Sequence, residues 1–351
     1  MMELGIGIVE GFYGTPWSDE DRRFSAERLK DLGGSFYIYA PKGDPFLRKR
    51  WTEAYPAAQA EKLRALGRDL HALDLSFGVG LSPYELYRSF DQAAQSQLEK
   101  KLNEIVELGA DHLALLFDDM RGDLPNLASL QIEIIRFVQA FGKFKTLSFC
   151  PTYYTTDPIL DKVFGQRPEG YLEALGAEIE PSVHFFWTGE KVCSTEYPSA
   201  HLAEVTALLQ RKPFLWDNYP VNDGQRMCKF LHLKEFSGRP MRLKEELSGH
   251  AVNPMNQANL SWIPMRTLFQ TYTRGSSNWL EAATVELGEE LANALNTDAQ
   301  NFQEKGLDSF TAEETRNYLE KYSKYSHPAA LEIVRWLRGE YHVTRELVLT
   351  Q

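Results

Sequence analysis

Two adjacent carboxylates, Asp118 and Asp119, end the apolar run LALLFDD at residues 113–119 and are the first candidates for chemistry. The run follows a helix-like segment and the break Gly109-Ala110-Asp111, so it reads as a buried parallel strand. Residues just past the carboxyl end of such a strand face the substrate crevice of an α/β fold. Two aspartates this close cannot ionise independently. Their pKa values are expected to separate, so that one gives up a proton while the other stays charged. Taken alone, the pair fits a capped turn with a solvated neighbour equally well.

Further residues able to bind or react follow other apolar runs. They are Gly11, Tyr13 and Trp17; Lys42, Asp44 and Arg48; Tyr153 and Tyr154 in Cys150-Pro-Thr-Tyr-Tyr; Trp187-Thr188-Gly189; Trp216, Asn218 and Asp223; and Asn253 with Asn256. Carboxylates, amides, a lysine and several Trp and Tyr rings together suit a sugar. Its C–H faces stack on aromatics while its hydroxyls need polar partners of fixed geometry. Each residue alone has a plainer reading as packing, turn former or solvated loop. Their common position after strands is what favours a site. Metal chemistry is not indicated, because His184 and His250 fall inside expected strands and no His cluster is present. No cofactor is expected.

The elements that must position these residues are short apolar runs at Gly5–Phe12, Ser35–Ala40, Leu75–Leu81, His112–Phe117, Thr146–Cys150, Val183–Trp187, Pro213–Trp216 and Gly249–Val252. Helical periodicity fills most gaps, as in Asp19–Leu32, Gln95–Leu108, Ala203–Leu209 and Leu260–Tyr272. Eight strands alternating with helices predict an α/β fold, a (β/α)8 TIM barrel. A doubly wound sheet would show a Gly-rich phosphate loop after its first strand, and Glu10-Gly11-Phe12-Tyr13-Gly14 lacks that spacing. From Trp279 the pattern is helix only. Glu313–Tyr325 and Pro328–Tyr341 are rich in helix formers, the second with an expected buried stripe of Leu331, Ile333, Trp336 and Leu337. The expected division is a catalytic barrel over 1–278 and a C-terminal helical region over 279–351.

The composition fits this picture: 351 residues, 43% hydrophobic and 25% charged, enough for a large core. Net charge is −11, which argues against a nucleic acid partner, since phosphate binding needs concentrated Lys and Arg. Cys150, Cys193 and Cys228 have neither disulfide nor zinc spacing. No apolar run approaches the roughly 18 residues that span a bilayer. A cytoplasmic protein with no membrane partner is expected; oligomeric state is left open.

With these residues in hand, the chain resembles glycoside hydrolase family 84, the retaining β-N-acetylglucosaminidases that include the O-GlcNAcases. The matching strings are GIVEGFYGTPWS at 7–18, YAPKGDP at 39–45, LLFDD at 115–119, CPTYY at 150–154, FWTG at 186–189, WDNYPVND at 216–223 and NPMNQA at 253–258. The resemblance covers residues 5–275 and is loose beyond about 280. It departs at Gly43, where the family often has an acidic residue, and at Phe46-Leu47, which replace a more polar pair.

The resemblance implies an N-acetylglucosamine-containing glycoside or glycoprotein substrate. It also implies substrate-assisted catalysis, in which the sugar's 2-acetamido oxygen attacks its own anomeric carbon to form an oxazoline. By motif position Asp118 polarises the acetamido N–H, and Asp119 is the general acid and then base. Tyr154 and Asn218 orient the acetamide. Trp216 walls its pocket beside Cys150 and Tyr13, and Gly11, Lys42, Asp223 and Asn253 contact hydroxyls, with Asn256 the alternative to Asn253. The competing expectations are an endo-acting hyaluronidase or chitin-fragment hydrolase and a catalytically silent sugar-binding barrel. The natural aglycone is left open.

Overall fold

The computed structural model describes residues 5–118 and 120–343. Eight parallel strands close into a barrel in chain order: β1 (Ile6–Glu10), β2 (Phe36–Tyr39), β3 (Ser76–Leu81), β4 (His112–Leu116), β5 (Thr146–Cys150), β6 (His184–Trp187), β7 (Phe214–Asp217) and β8 (Gly249–Val252). The ring closes where Ile6, Gly7 and Ile8 pair with His250, Ala251 and Val252. Buried on both faces, such strands read as continuous apolar runs, which is why their positions were visible in the sequence.

The helices are α1 (Asp19–Asp31), α2 (Ala57–Ala72), α3 (Gln92–Glu107), α4 (Leu127–Phe141), α5 (Ile159–Phe164), α6 (Tyr171–Glu178), α7 (Ser199–Leu209), α8 (Gly224–Met227), α9 (Leu243–Glu246) and α10 (Ala258–Arg274) around the barrel. They continue as α11 (Trp279–Leu287), α12 (Glu289–Glu304), α13 (Ala312–Tyr322) and α14 (Pro328–Leu337). Local chemistry sets several starts: Ser18 and Asp21 form a capping box on α1, and Asp91 accepts two N–H bonds at the start of α3.

Rings fill the barrel interior. Phe214 packs edge-on to Phe36 (centroids 5.4 Å apart) and stacks on Phe186 (4.4 Å); Phe186 in turn meets Trp216 edge-on (5.1 Å). The aromatic column therefore carries Trp216 to the C-terminal rim. At the opposite end His112 and His184 are buried, and loss of hydration pushes them down to about 3 and about 4. Both are neutral structural groups.

A second apolar cluster joins α11–α14 to the outer face of α10. Leu260 and Ile263 of α10 pack there with Leu291, Leu295, Phe302, Ile333 and Trp336. One expectation fails on α14. Ile333, Trp336 and Leu337 lie on its buried face with Ala329, Ala330, Glu332 and Val334, whereas Leu331 projects from the opposite side and is 58% exposed.

Candidate active site

The C-terminal ends of the strands surround a pocket enclosing about 610 Å³, part of it open to solvent. Gly11, Tyr13, Lys42, Asp118, Cys150, Tyr154, Trp216, Asn218, Asp223 and Asn253 all line it. Asp119 lies outside the described residues. Trp17, Tyr153 and Trp187 are buried packing residues instead: the Trp17 indole donates to Met255 O (3.1 Å), the Tyr153 hydroxyl to Gly165 O (2.5 Å) and the Trp187 indole to His201 Nε2 (3.1 Å).

Asp118 follows β4 and is buried at the pocket wall. Its Oδ2 takes a hydrogen-bonded ion pair from Lys42 Nζ, and both side chains are nearly withdrawn from solvent. Its Oδ1 is buried without a partner among the described residues. A buried anionic acceptor lacking a donor is costly, so an N–H brought to Oδ1 would relieve that cost. Lys42 rides on a loop pinned from behind by Asp44, which accepts from the Tyr39 hydroxyl, the Tyr55 hydroxyl and Phe46 N, each at 2.9 Å. Phe46 and Leu47 are buried behind this loop and do not line the pocket.

The opposite wall belongs to β7 and β8. The Trp216 indole donates to Asn218 Oδ1 (3.0 Å), Asn253 Nδ2 donates to the same oxygen (3.1 Å), and Asn218 Nδ2 donates to Val192 O (2.8 Å). Gly11 N donates to Asn253 Oδ1 (3.3 Å). A Cβ on Gly11 would sit 2.4 Å from Trp216 Cζ2, so only glycine lets the indole reach this wall. Tyr13 N donates to Asp223 Oδ2 (2.8 Å), and Arg48 Nη1 donates to the Tyr13 hydroxyl (3.1 Å). Asn253 thus faces the pocket, whereas Asn256 stands behind it, its Nδ2 donating to Tyr13 O (3.0 Å).

Beneath this wall a buried ion pair fixes the frame. Asp217 accepts from Arg239 Nε (2.9 Å) and Nη2 (2.7 Å) and meets His250 Nε2 at 3.0 Å. Burial alone would raise its carboxyl, but Arg239 and His250 hold it at about 2. Arg239 also donates to Ser194 O (2.9 Å) and Thr195 O (2.6 Å), tying the loop after β6 to β7.

The family model described as beta-N-acetylglucosaminidase matches residues 6–304. The chain belongs to this family. Protein O-GlcNAcase of Rattus norvegicus and of Mus musculus are each 32% identical to it over 275 residues, 76% of the chain. That match spans 30% of those relatives' length. A mutant of the Thermobaculum terrenum O-GlcNAc hydrolase aligns with TM-score 0.76 and 29% identity, over 95% of this chain and 74% of that one.

Three lining residues were not singled out from the sequence, Val192, Cys193 and Val221, and a fourth, Thr188, was named there after the sixth strand without a role. Thr188 has the clearest signal, directly after β6 inside the family string FWTG. Val192 and Cys193 come from the loop that Arg239 holds. Cys193 reaches the surface at the pocket mouth. The protein packed around its thiol, with the carboxylates of Asp223, Asp217 and Asp157, pushes it up to about 11.

Proposed function

We propose that the chain is a retaining exo-β-N-acetylglucosaminidase that uses the substrate's own acetamide as nucleophile. The observation that carries this reading is Asp118: one oxygen is engaged by Lys42, and the other is buried in the pocket wall with no partner among the described residues. An acetamido N–H donated to Oδ1 would shift electron density onto the amide oxygen as that oxygen attacks the anomeric carbon. The positive charge growing on nitrogen would strengthen the same hydrogen bond in the transition state, which is how such a contact accelerates a reaction.

Trp216, Cys150 and Tyr13 would enclose the acetamide, with Tyr154 and Asn218 orienting it. Gly11, Lys42, Asp223 and Asn253 would take the hydroxyls. Asp119, next along the chain, would protonate the leaving oxygen and then deprotonate water attacking the oxazoline. The proposed substrate is a terminal β-linked N-acetylglucosaminide, including glycoprotein-borne sugar. The proposed division keeps 1–278 as catalytic unit and 279–351 as its helical appendage. A cytoplasmic setting is also proposed; Cys150, Cys193 and Cys228 are free thiols, which suits a reducing compartment.

Substrates bearing mono-, di- and trifluoroacetamido groups test the nucleophile. Fluorine withdraws electrons from the attacking oxygen with little change in size, so kcat/KM should fall steeply with each substitution. A flat series, with a sugar trapped covalently on an aspartate, would overturn substrate assistance.

A further inference from the structure

Helix α10 begins without the residue that its position calls for. Its N-cap is Gln257, whose side chain makes no capping hydrogen bond, although the backbone there (φ −87°, ψ 98°) is extended as at a capped helix start. The orphan donors are satisfied from another part of the chain. Glu332 of α14 is buried against this helix start: its Oε1 accepts from Asn259 N and Asn259 Nδ2, both at 2.9 Å, and its Oε2 from Leu260 N at 2.9 Å. Asn259 and Leu260 are the second and third residues of α10, the positions whose N–H groups a local Ser or Asp would cap.

The helix start is also the end of the pocket wall. Between β8 and α10 lie Asn253, which faces the pocket, and Asn256, which holds Tyr13 O. Asn256 N and the Gln257 side-chain oxygen both bond Asn222, at 3.1 and 2.8 Å, and Met255 N bonds Ser261 Oγ at 3.0 Å. The corner is therefore fastened to the first turn of α10 on one side and to the sugar wall on the other. Val343, beyond α14, approaches from the same direction: a Cβ on Gly14 would lie 3.2 Å from Val343 Cγ2 and 2.3 Å from Asn256 Oδ1.

We infer that Glu332 is a positioning residue for hydrolysis: it supplies, from a distant part of the chain, the N-cap of α10 and so makes the C-terminal helical region set the place of Asn253 and Tyr13 in the pocket. This inference rests on the proposed N-acetylglucosaminidase site.

The arrangement is costly enough to need a reason. Burial pushes the Glu332 carboxyl up to about 7, with Asp21 of α1 adding to the rise, while the Asn259 and Leu260 donors pull it down. On its own side, Arg335 pairs with Glu340 at 2.9 Å instead of neutralising it, and Tyr341 stands nearby. A carboxylate kept here on N–H donors and the positive end of α10 is spent on fixing that helix start.

The test compares the unaltered chain, Glu332→Gln, Gln257→Ser and the double variant Glu332→Gln/Gln257→Ser. The substrate is an aryl N-acetylglucosaminide, and amide hydrogen exchange is measured in parallel. Glutamine keeps the size but turns one acceptor into a donor facing N–H groups. Its KM should rise about fivefold with kcat within about twofold, as expected for one hydrogen bond lost from a binding wall. Exchange should quicken at Asn259, Leu260 and residues 253–257. A serine N-cap offers a local acceptor without reconnecting α14; because it also gives up the Gln257–Asn222 bond, the double variant is read against Gln257→Ser, and in that background Glu332→Gln should raise KM by no more than half as much.

Unchanged KM with only a lowered melting temperature would overturn the inference. So would a KM rise from Glu332→Gln that is as large in the Gln257→Ser background as in the unaltered chain, since that effect would run through α14 packing. If Glu332→Gln does not fold, Glu332→Asp, one methylene short, replaces it under the same criteria. Exchange is read without turnover. Failure of the unaltered chain to cleave the substrate would overturn the proposed function, and unaltered exchange in Glu332→Gln would still sink this inference separately.

Discussion

The two aspartates are given different work, and leaving-group chemistry separates them. Asp119→Ala removes the proposed proton donor, so it should cripple alkyl glycosides by ~10²–10⁴-fold while sparing activated aryl glycosides, which leave without a proton. Equal losses on both would contradict the assignment. Asp118→Asn should behave otherwise. It weakens a contact that grows in the transition state, so kcat should fall for both leaving-group types with a smaller change in KM. A raised KM at constant kcat would reduce Asp118 to a binding residue. The pocket side of this scale was legible because residue type and strand-end position coincide: Lys42, Asp118, Trp216 and Asn253 each end or follow an apolar run. Which of Asn253 and Asn256 lines the pocket was not, since both amides occupy the same turn and only the fold separates them.

At the scale of elements, the barrel was readable because strands buried on both faces leave unbroken apolar runs and the helices between them keep their periodicity. What the sequence hides is any contact made by a long return. Val192 and Cys193 reach the pocket because Arg239, more than forty residues later, holds Ser194 O, Thr195 O and Asp217 at once. No local pattern announces that clasp. Leu331 shows the reverse limit: one apolar residue too many on an amphipathic helix cannot be assigned to a face by composition. The clasp can be tested through the thiol it positions. Arg239→Lys keeps the charge beside Asp217 but loses the planar fork that reaches both carboxylate oxygens and the loop carbonyls. Freed from its surroundings and from the carboxylates that push it to about 11, Cys193 should react with maleimide roughly tenfold faster or more at pH 8. KM should rise as the loop loosens. An unchanged labelling rate would mean that the loop stands without Arg239.

For the whole molecule, the titrations set an acid limit whose sign can be worked out group by group. His112 and His184 are held at about 3 and about 4 in the fold, below the ordinary 6.5 of an exposed imidazole. Between those values the unfolded chain binds protons that the native chain refuses, so stability is full above about pH 6.5 and is lost as pH falls below it. Burial shifts His201, His232 and His327 in the same direction. Glu332 opposes them. Raised to about 7, it binds a proton in the fold that the unfolded chain gives up near 4.5, so its contribution is lost as pH rises through 7. Asp217, held at about 2, matters only below the ordinary carboxylate range. Burial raises the Glu286 carboxyl in the same sense as that of Glu332. From pH 4.5 to 6.5 five histidines work against these two glutamates, each worth up to about 1.4 kcal/mol per pH unit when fully uncompensated. Melting temperature at constant ionic strength should therefore climb a few degrees per unit over that range and level off or dip slightly near 7. Glu332→Gln removes one opposing proton, so its climb should be steeper than that of the unaltered chain. A melting temperature that is flat or falling from pH 4.5 to 6.5 would show that the barrel-floor histidines accept protons in the folded state, and that the interior around Phe214 is wetter than its packed rings imply.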